Sequence, residues 1–137
     1  MSGGMELYLH MPFCVRKCAY CDFLSFPSGA ETQRMYAKRL MEDIDVMGKR
    51  YGEIPVETIF IGGGTPSVPD SGLIVEIMEH VRHAFHVADG AEISMEANPG
   101  TVTREKLTDY RKAGINRLSF GLQSANDREL KLLGRIH

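Results

Sequence analysis

This chain has almost no excess of charge of either sign. Sixteen Lys and Arg stand against eighteen Asp and Glu, a formal net charge of −2 over 137 residues. No basic footprint argues for nucleic acid or an anionic membrane surface. Long hydrophobic runs are missing too. Stretches such as Ile59 to Ile61 fall far short of the roughly 20 residues that span a bilayer, so no transmembrane segment is expected. Met1 to Glu6 has neither the basic start nor the apolar core of a secretory signal. No internal repeat and no low-complexity tract is found. Cysteine is scarce, and its three copies all lie between Cys14 and Cys21. So compact a trio fits a metal in a reducing compartment better than a disulfide framework, and the cytoplasm is the expected location. The remainder, 43% hydrophobic and 25% charged, is ordinary for one globular domain's worth of chain or less.

The three cysteines follow the pattern C-x3-C-x2-C at Cys14, Cys18 and Cys21. Thiolates this close repel one another unless a cation holds them, and soft sulfur selects iron–sulfur clusters, zinc or copper(I). Three readings stand side by side. A four-iron four-sulfur cluster takes four protein ligands as a rule; three leave one iron open, a defect in an electron carrier and an asset in a catalyst. Zinc would need a fourth ligand, for which His10 is nearest, although structural zinc cysteines usually come as separated pairs. The third reading is three unconnected, partly buried thiols. Between and beside the ligands, Phe13, Tyr20 and Phe23 can form an apolar wall, and Arg16 and Lys17 offset negative charge.

The elements follow from periodicity. Glu6 to Met11 reads as a strand stopped by Pro12, and Ser25 to Ala30 as a turn. Tyr36, Leu40, Ile44, Met47 and Tyr51 are spaced as one face of a helix over Glu31 to Tyr51. Val56 to Ile61 is a buried strand rich in β-branched residues. A helix from Ser71 to Phe85, capped by Asp70 or Ser71, turns Ile74, Ile77, Met78, Val81 and Phe85 inward. Glu92 to Glu96 is the third strand. A helix over Arg104 to Ala113 starts at Thr103 and stops at Gly114, with Ile115 beyond the cap. Arg117 to Leu122 is the fourth strand, and Asn126 with Glu129 predicts a capping box on a short helix through Leu133.

Strands and helices in alternation predict a parallel sheet built from βαβ units. Chemistry in such sheets collects at the C-terminal strand ends, where this sequence keeps its unusual residues. The cysteines follow the first strand in a loop about twice the usual length, Gly62-Gly63-Gly64-Thr65-Pro66 the second, Glu96-Ala97-Asn98-Pro99-Gly100 the third and Gln123-Ser124 the fourth. The glycines can let backbone approach a ligand and offer it N–H and C=O groups, or simply make a turn. Glu96 can accept from hydroxyls or an ammonium, Gln123 can pair with polar edges, and Arg135 can hold a carboxylate in two bonds; each is also an ordinary polar rim residue. His80, His83 and His86 read as surface residues, while His10 and His137 face the chemical end.

The cysteine pattern, with an aromatic residue just before Cys21, resembles the signature of radical S-adenosylmethionine (SAM) proteins. The stretches LYLHMPFCVRKCAYCDF, IFIGGGTPS, EANPGTVT, GINRLSFGLQS and LGRIH together resemble the oxygen-independent coproporphyrinogen III oxidase-like family, and within it the heme chaperone branch. The resemblance covers nearly the whole chain. It implies a partial TIM-type barrel of four parallel strands with intervening helices, and a [4Fe–4S] cluster on Cys14, Cys18 and Cys21. It also implies SAM contacts at Tyr8, Tyr20, Gly63, Gly64, Thr65, Glu96, Gln123 and Arg135. The true oxidases resemble C-x3-C-x2-C-x-C, whereas the position of the fourth cysteine is Phe23 here. That departure favours a chaperone, with heme as cargo, a heme-accepting protein as partner and a reductant for the cluster. The oxidase and a zinc-binding scaffold are the alternatives. The family implied is longer, so residues 1–137 are expected to be the N-terminal part of a radical SAM core, with further strands and a heme or substrate region beyond them. On that expectation the fourth strand carries an unpaired edge.

Overall fold

The computed structural model describes residues 3–14, 29–122 and 124–133. Strands and helices alternate as β1 (Met5–Met11), α1 (Ala30–Tyr51), β2 (Val56–Gly63), α2 (Ser71–Ala84), β3 (Val87–Ala97), α3 (Arg104–Ala113), β4 (Arg117–Phe120) and α4 (Asp127–Leu132). The strands pair in chain order, every pair parallel. The result is an open sheet of the partial-barrel kind.

Alternation along the strands divides the sheet into two faces. Leu9 and Met11, Ile59 and Ile61, and Ile93 and Met95 are each at most 5% exposed and join one core with Ile74, Ile77, Met78 and Val81 of α2. Each of those side chains stabilises the fold by about 1.5–3 kcal/mol on burial. The helix α2 packs against both α1 and α3. Tyr8 of β1 belongs to the other face and is 57% exposed. That face carries the polar and aromatic residues of the candidate site.

Most expected boundaries recur, and the departures have local causes. In α1 the buried residues are Gln33, Ala37 and Ile44, while Met47 and Tyr51 are 46% and 37% exposed. The inward stripe continues through Gly48 instead. A Cβ there would lie 2.5 Å from the Ala84 Cβ, so the absent side chain is what lets α1 and α2 close at their C-terminal ends. The strand β3 begins at Val87, five residues before Glu92. Its register with β2 jumps from Val56–Val87 to Thr58–Glu92, so Ala88 to Ala91 bulge out and their Asp-Gly pair reads as a turn in sequence. The strand β4 ends at Phe120, short of Leu122.

The caps are made largely as expected. Asp70 accepts from the Gly72 N–H at 2.9 Å and Thr103 from the Lys106 N–H at 3.1 Å. Gly114 closes α3 in the left-handed region (φ 103°), with Ile115 buried behind it. At α4, Asn126 accepts from the Arg128 N–H, but Glu129 does not reach back to the Asn126 N–H. Ser124 stands between them, accepting from that N–H at 2.9 Å and donating to the Glu129 carboxylate.

Tyr110 of α3 is 1% exposed. Among the described residues, its hydroxyl has no hydrogen-bond partner. Burial, with smaller contributions from Asp109 and Asp70, pushes its pKa up to about 12. A buried hydroxyl without a partner costs about 1–3 kcal/mol, so Tyr110→Phe should raise the melting temperature by a few degrees at neutral pH. The folded-state pKa lies above the roughly 10 of an exposed tyrosine. The stability tied to this group is therefore intact below pH 10 and falls as the pH climbs toward 12. Melts across that interval should show a shallower loss in Tyr110→Phe than in the parent, and equal slopes would refute the assignment.

Candidate functional site

Parallel register brings the strand ends to one edge. Met11 of β1 lies beside Gly63 of β2, and Ala97 of β3 beside Phe120 of β4. The glycine turn then reaches across to the exit of β1. The Gly64 N–H donates to the Met11 carbonyl at 2.8 Å and the Thr65 N–H to the Phe13 carbonyl at 2.5 Å. From the other side, the Tyr36 hydroxyl of α1 donates to the His10 carbonyl at 2.5 Å. The Tyr36 ring meets Phe13 edge-on with centroids 5.2 Å apart. Cys14, buried as a thiol, therefore starts its loop from a backbone held on both sides. Phe13 itself is fully buried in the core. It lies one residue before Cys14, and the rest of the apolar wall expected around a metal, Tyr20 and Phe23, lies outside the described residues.

The glycines answer first to the protein's own packing. Gly63 has φ +117°, a left-handed conformation that side chains rarely adopt, and a Cβ there would fall 2.6 Å from the His10 ring. At Gly64 a Cβ would fall 2.4 Å from the Phe13 carbonyl oxygen. The amides are engaged as well, since the Gly63 N–H donates to Glu96 Oε2 at 3.3 Å and the next two hold β1. The turn closes on itself as well, the Thr65 carbonyl accepting from the Val68 N–H at 3.0 Å, so its amides are not offered to an anion.

The loops after β2 and β3 are stitched together by polar side chains. Thr65 is 4% exposed, and its hydroxyl accepts from Asn98 Nδ2 at 2.8 Å. Ser67, fully buried, shares a 2.5 Å hydrogen bond with the Thr101 hydroxyl and accepts from the Asn98 N–H at 3.4 Å. Lys106 of α3 donates to carbonyls on both loops. Its burial holds its pKa below the usual lysine value, against an opposing effect of Asp70. Sequence reasoning missed Ser67, Thr101 and Lys106. The available signal was a cation in the first helical turn, where the dipole disfavours one.

On the exposed face, Tyr8 and His10 share a hydrogen bond of 3.0 Å between the phenol and Nδ1. The Tyr8 ring stacks on Phe60 with centroids 6.0 Å apart. Partial burial, and secondarily the Glu96 carboxylate, raise the Tyr8 phenol above its ordinary pKa. Tyr8, Gly63, Glu96 and His10 thus form one group at the mouth of the sheet, with Gly64, Thr65 and Cys14 behind it. Of the remaining candidates, Cys18, Cys21, Tyr20, Gln123 and Arg135 lie outside the described residues, as do Arg16, Lys17, Phe23 and His137. Among the described residues no three His, Cys, Asp or Glu side chains form a metal-sized group. The part of the site that is described fits a ligand needing a sulfur donor, carbonyl oxygens and a carboxylate. His83 and His86 are exposed and His80 half-buried; His80 pairs with Asp45 across α1 and α2 at 3.0 Å. No helix among the described residues is long and apolar enough to cross a membrane.

Comparison with known proteins follows the same lines. The profile of the radical SAM superfamily matches residues 8–137. The heme chaperone HemW of Escherichia coli is 45% identical over 134 residues, covering 97% of this chain and 35% of that protein. The mitochondrial radical S-adenosyl methionine domain-containing protein 1 of Bos taurus is 37% identical, covering 99% of this chain and 31% of that protein. The chain spans about a third of the length of the curated relatives it matches. Among solved structures, the coproporphyrinogen III oxidase HemN from Escherichia coli, described as a radical SAM enzyme, superimposes with a TM-score of 0.88 at 28% identity, over 98% of this chain and 31% of that one.

The close approach at Gly64 yields a contrast between two glycines. Gly64→Ala should lower stability by about 1–3 kcal/mol and speed alkylation of Cys14, because a Cβ must displace the Phe13 backbone. Gly72→Ala, whose Cβ meets nothing nearer than 3.4 Å, should be neutral or slightly stabilising. Denaturant melts and thiol-labelling rates on the two variants check this, and indistinguishable behaviour would reject it.

Proposed function

The chain belongs to the radical SAM superfamily, and on that premise we propose that it is the N-terminal part of a heme chaperone. In this reading Cys14, Cys18 and Cys21 hold a [4Fe–4S] cluster as thiolates and leave one iron open. The chemistry such a cluster supplies when bound is one-electron reduction of the SAM sulfonium. Around it, carbonyls of the Gly63–Thr65 turn accept from the SAM ammonium, and Glu96 accepts from that ammonium or from ribose hydroxyls. Arg135 neutralises the carboxylate. Tyr8, Tyr20 and Gln123 complete the contacts to SAM. Heme is cargo, passed to an accepting protein in the cytoplasm, with a reductant serving the cluster. The strands that continue the sheet past β4 and the region that handles heme belong to this proposal as well.

The observation that carries it is the pair of backbone bonds from Gly64 and Thr65 to the exit of β1. They join the start of the cysteine loop to a glycine turn whose amides are engaged, which supports a cationic rather than an anionic ligand group there. The chaperone branch is supported by the higher identity to the heme chaperones than to the oxidase and by Phe23 at the position of the oxidases' fourth cysteine.

Two outcomes are expected. After anaerobic reconstitution, Cys18→Ser should lose the visible sulfur-to-iron absorbance, because serine is a harder and far less acidic ligand. A variant that keeps the full bands, or a parent that takes up zinc in place of iron, sinks the cluster assignment. A complete version of the protein, with the heme-handling region in place, should bind heme, seen as a Soret band that titrates to saturation, and should leave coproporphyrinogen III unchanged in the presence of SAM and a reductant. Vinyl product forming at turnover rates would restore the oxidase.

A further inference from the structure

The ammonium of Lys106 sits where an ion would. Four backbone carbonyls face its Nζ: Ser67 at 2.6 Å, Pro69 and Thr101 at 3.2 Å and Val68 at 3.5 Å. An ammonium has three protons, so four oxygens share them, an arrangement closer to coordination of a cation than to discrete hydrogen bonds. Three of the oxygens come from the loop after β2 and one from the loop after β3. The lysine is in the first turn of α3, where the helix dipole opposes a positive charge, so the carbonyls must more than offset that cost. Rings of backbone carbonyls also replace the hydration shell of potassium ions.

We infer that Lys106 acts as a tethered monovalent cation, filling a four-carbonyl site that holds the loop after β2 against the loop after β3. It is a positioning residue. Its effect runs through Ser67 and Asn98 to Thr65, and from there to the turn and carboxylate assigned above to SAM, so the SAM arm of the test rests on that reading. When the side chain is cut back, a potassium or ammonium ion of the medium takes its place.

The test uses the cluster-reconstituted protein and two substitutions. Lys106→Met keeps the aliphatic stem without the charge, and Lys106→Ala leaves room for an ion. Amide exchange at Thr65 and Asn98, and SAM affinity, are measured in choline, potassium and ammonium chloride at equal ionic strength. Lys106→Met should lose protection at both amides and about tenfold in SAM affinity in all three salts, in keeping with loss of charged hydrogen bonds. Lys106→Ala should recover both in potassium or ammonium and neither in choline, with the parent insensitive to the cation. Indifference of Lys106→Ala to the cation overturns the proposal, and so does parental protection in Lys106→Met. A parent that binds no SAM counts against the proposed function, while the cation dependence of exchange in Lys106→Ala still decides the role of Lys106. Should Lys106→Ala fail to fold in choline, folding restored by potassium supports the inference, and folding restored by neither ion refutes it.

Discussion

Two hydrogen bonds determine how the edge of this sheet is organised, those from the Gly64 and Thr65 amides to the Met11 and Phe13 carbonyls. A parallel pair has no hairpin to fix where its strands part. Here the parting is delayed, because the chain after β2 stays bonded to the chain after β1 until Phe13. Cys14 is the next residue. Glycine is required for this at Gly64, since any side chain would strike the Phe13 backbone. Tyr36 then fixes the same stretch from α1, through the His10 carbonyl and the face of Phe13. The cysteine loop thus departs from one of the most constrained points in the sheet.

The same economy governs the next pair of loops. Thr65, Ser67, Asn98 and Thr101 are small polar residues whose side chains bond to one another across two connections. Buried polar groups of this kind are stable only when satisfied together. Their mutual bonding ties the loop after β2 to the loop after β3, and Lys106 adds charged hydrogen bonds to carbonyls of both. The strand end carrying Glu96 is joined to the end of β2 at Gly63.

Much of this was legible in the sequence where one residue type does one job. The α2 stripe of Ile74, Ile77, Met78 and Val81, the Thr103 and Gly114 ends of α3, and the crowding of unusual residues at strand exits all follow from periodicity and turn chemistry. The misreadings come from residues whose contribution is an absent or redirected group. Gly48 carries the α1 stripe by having no side chain, and a scan for apolar residues passes over it in favour of Met47 and Tyr51. Glu129 has the spacing of a capping box, yet Ser124 intercepts it. The links from Ser67 to Asn98, Thr101 and Lys106 join positions 31 to 39 residues apart; no local pattern encodes them.

The sign of the edge follows from which backbone groups remain. Glycine-rich turns after parallel strands often present amides to phosphate, helped by the helix N-terminus behind them. This turn does the opposite. The amides of Gly63, Gly64 and Thr65 are engaged by Glu96 and β1, and the start of α2 is covered by the Asp70 carboxylate. Even the lysine near this edge directs its charge onto four carbonyls. The charge at this edge is the Glu96 carboxylate, which, second to partial burial, raises the Tyr8 phenol above its ordinary pKa. An anionic cofactor would be repelled by such an edge, and the cationic end of a zwitterion would be drawn to it. A zwitterionic ligand must then bring its carboxylate to some other part of the site, and this is the role assigned to Arg135.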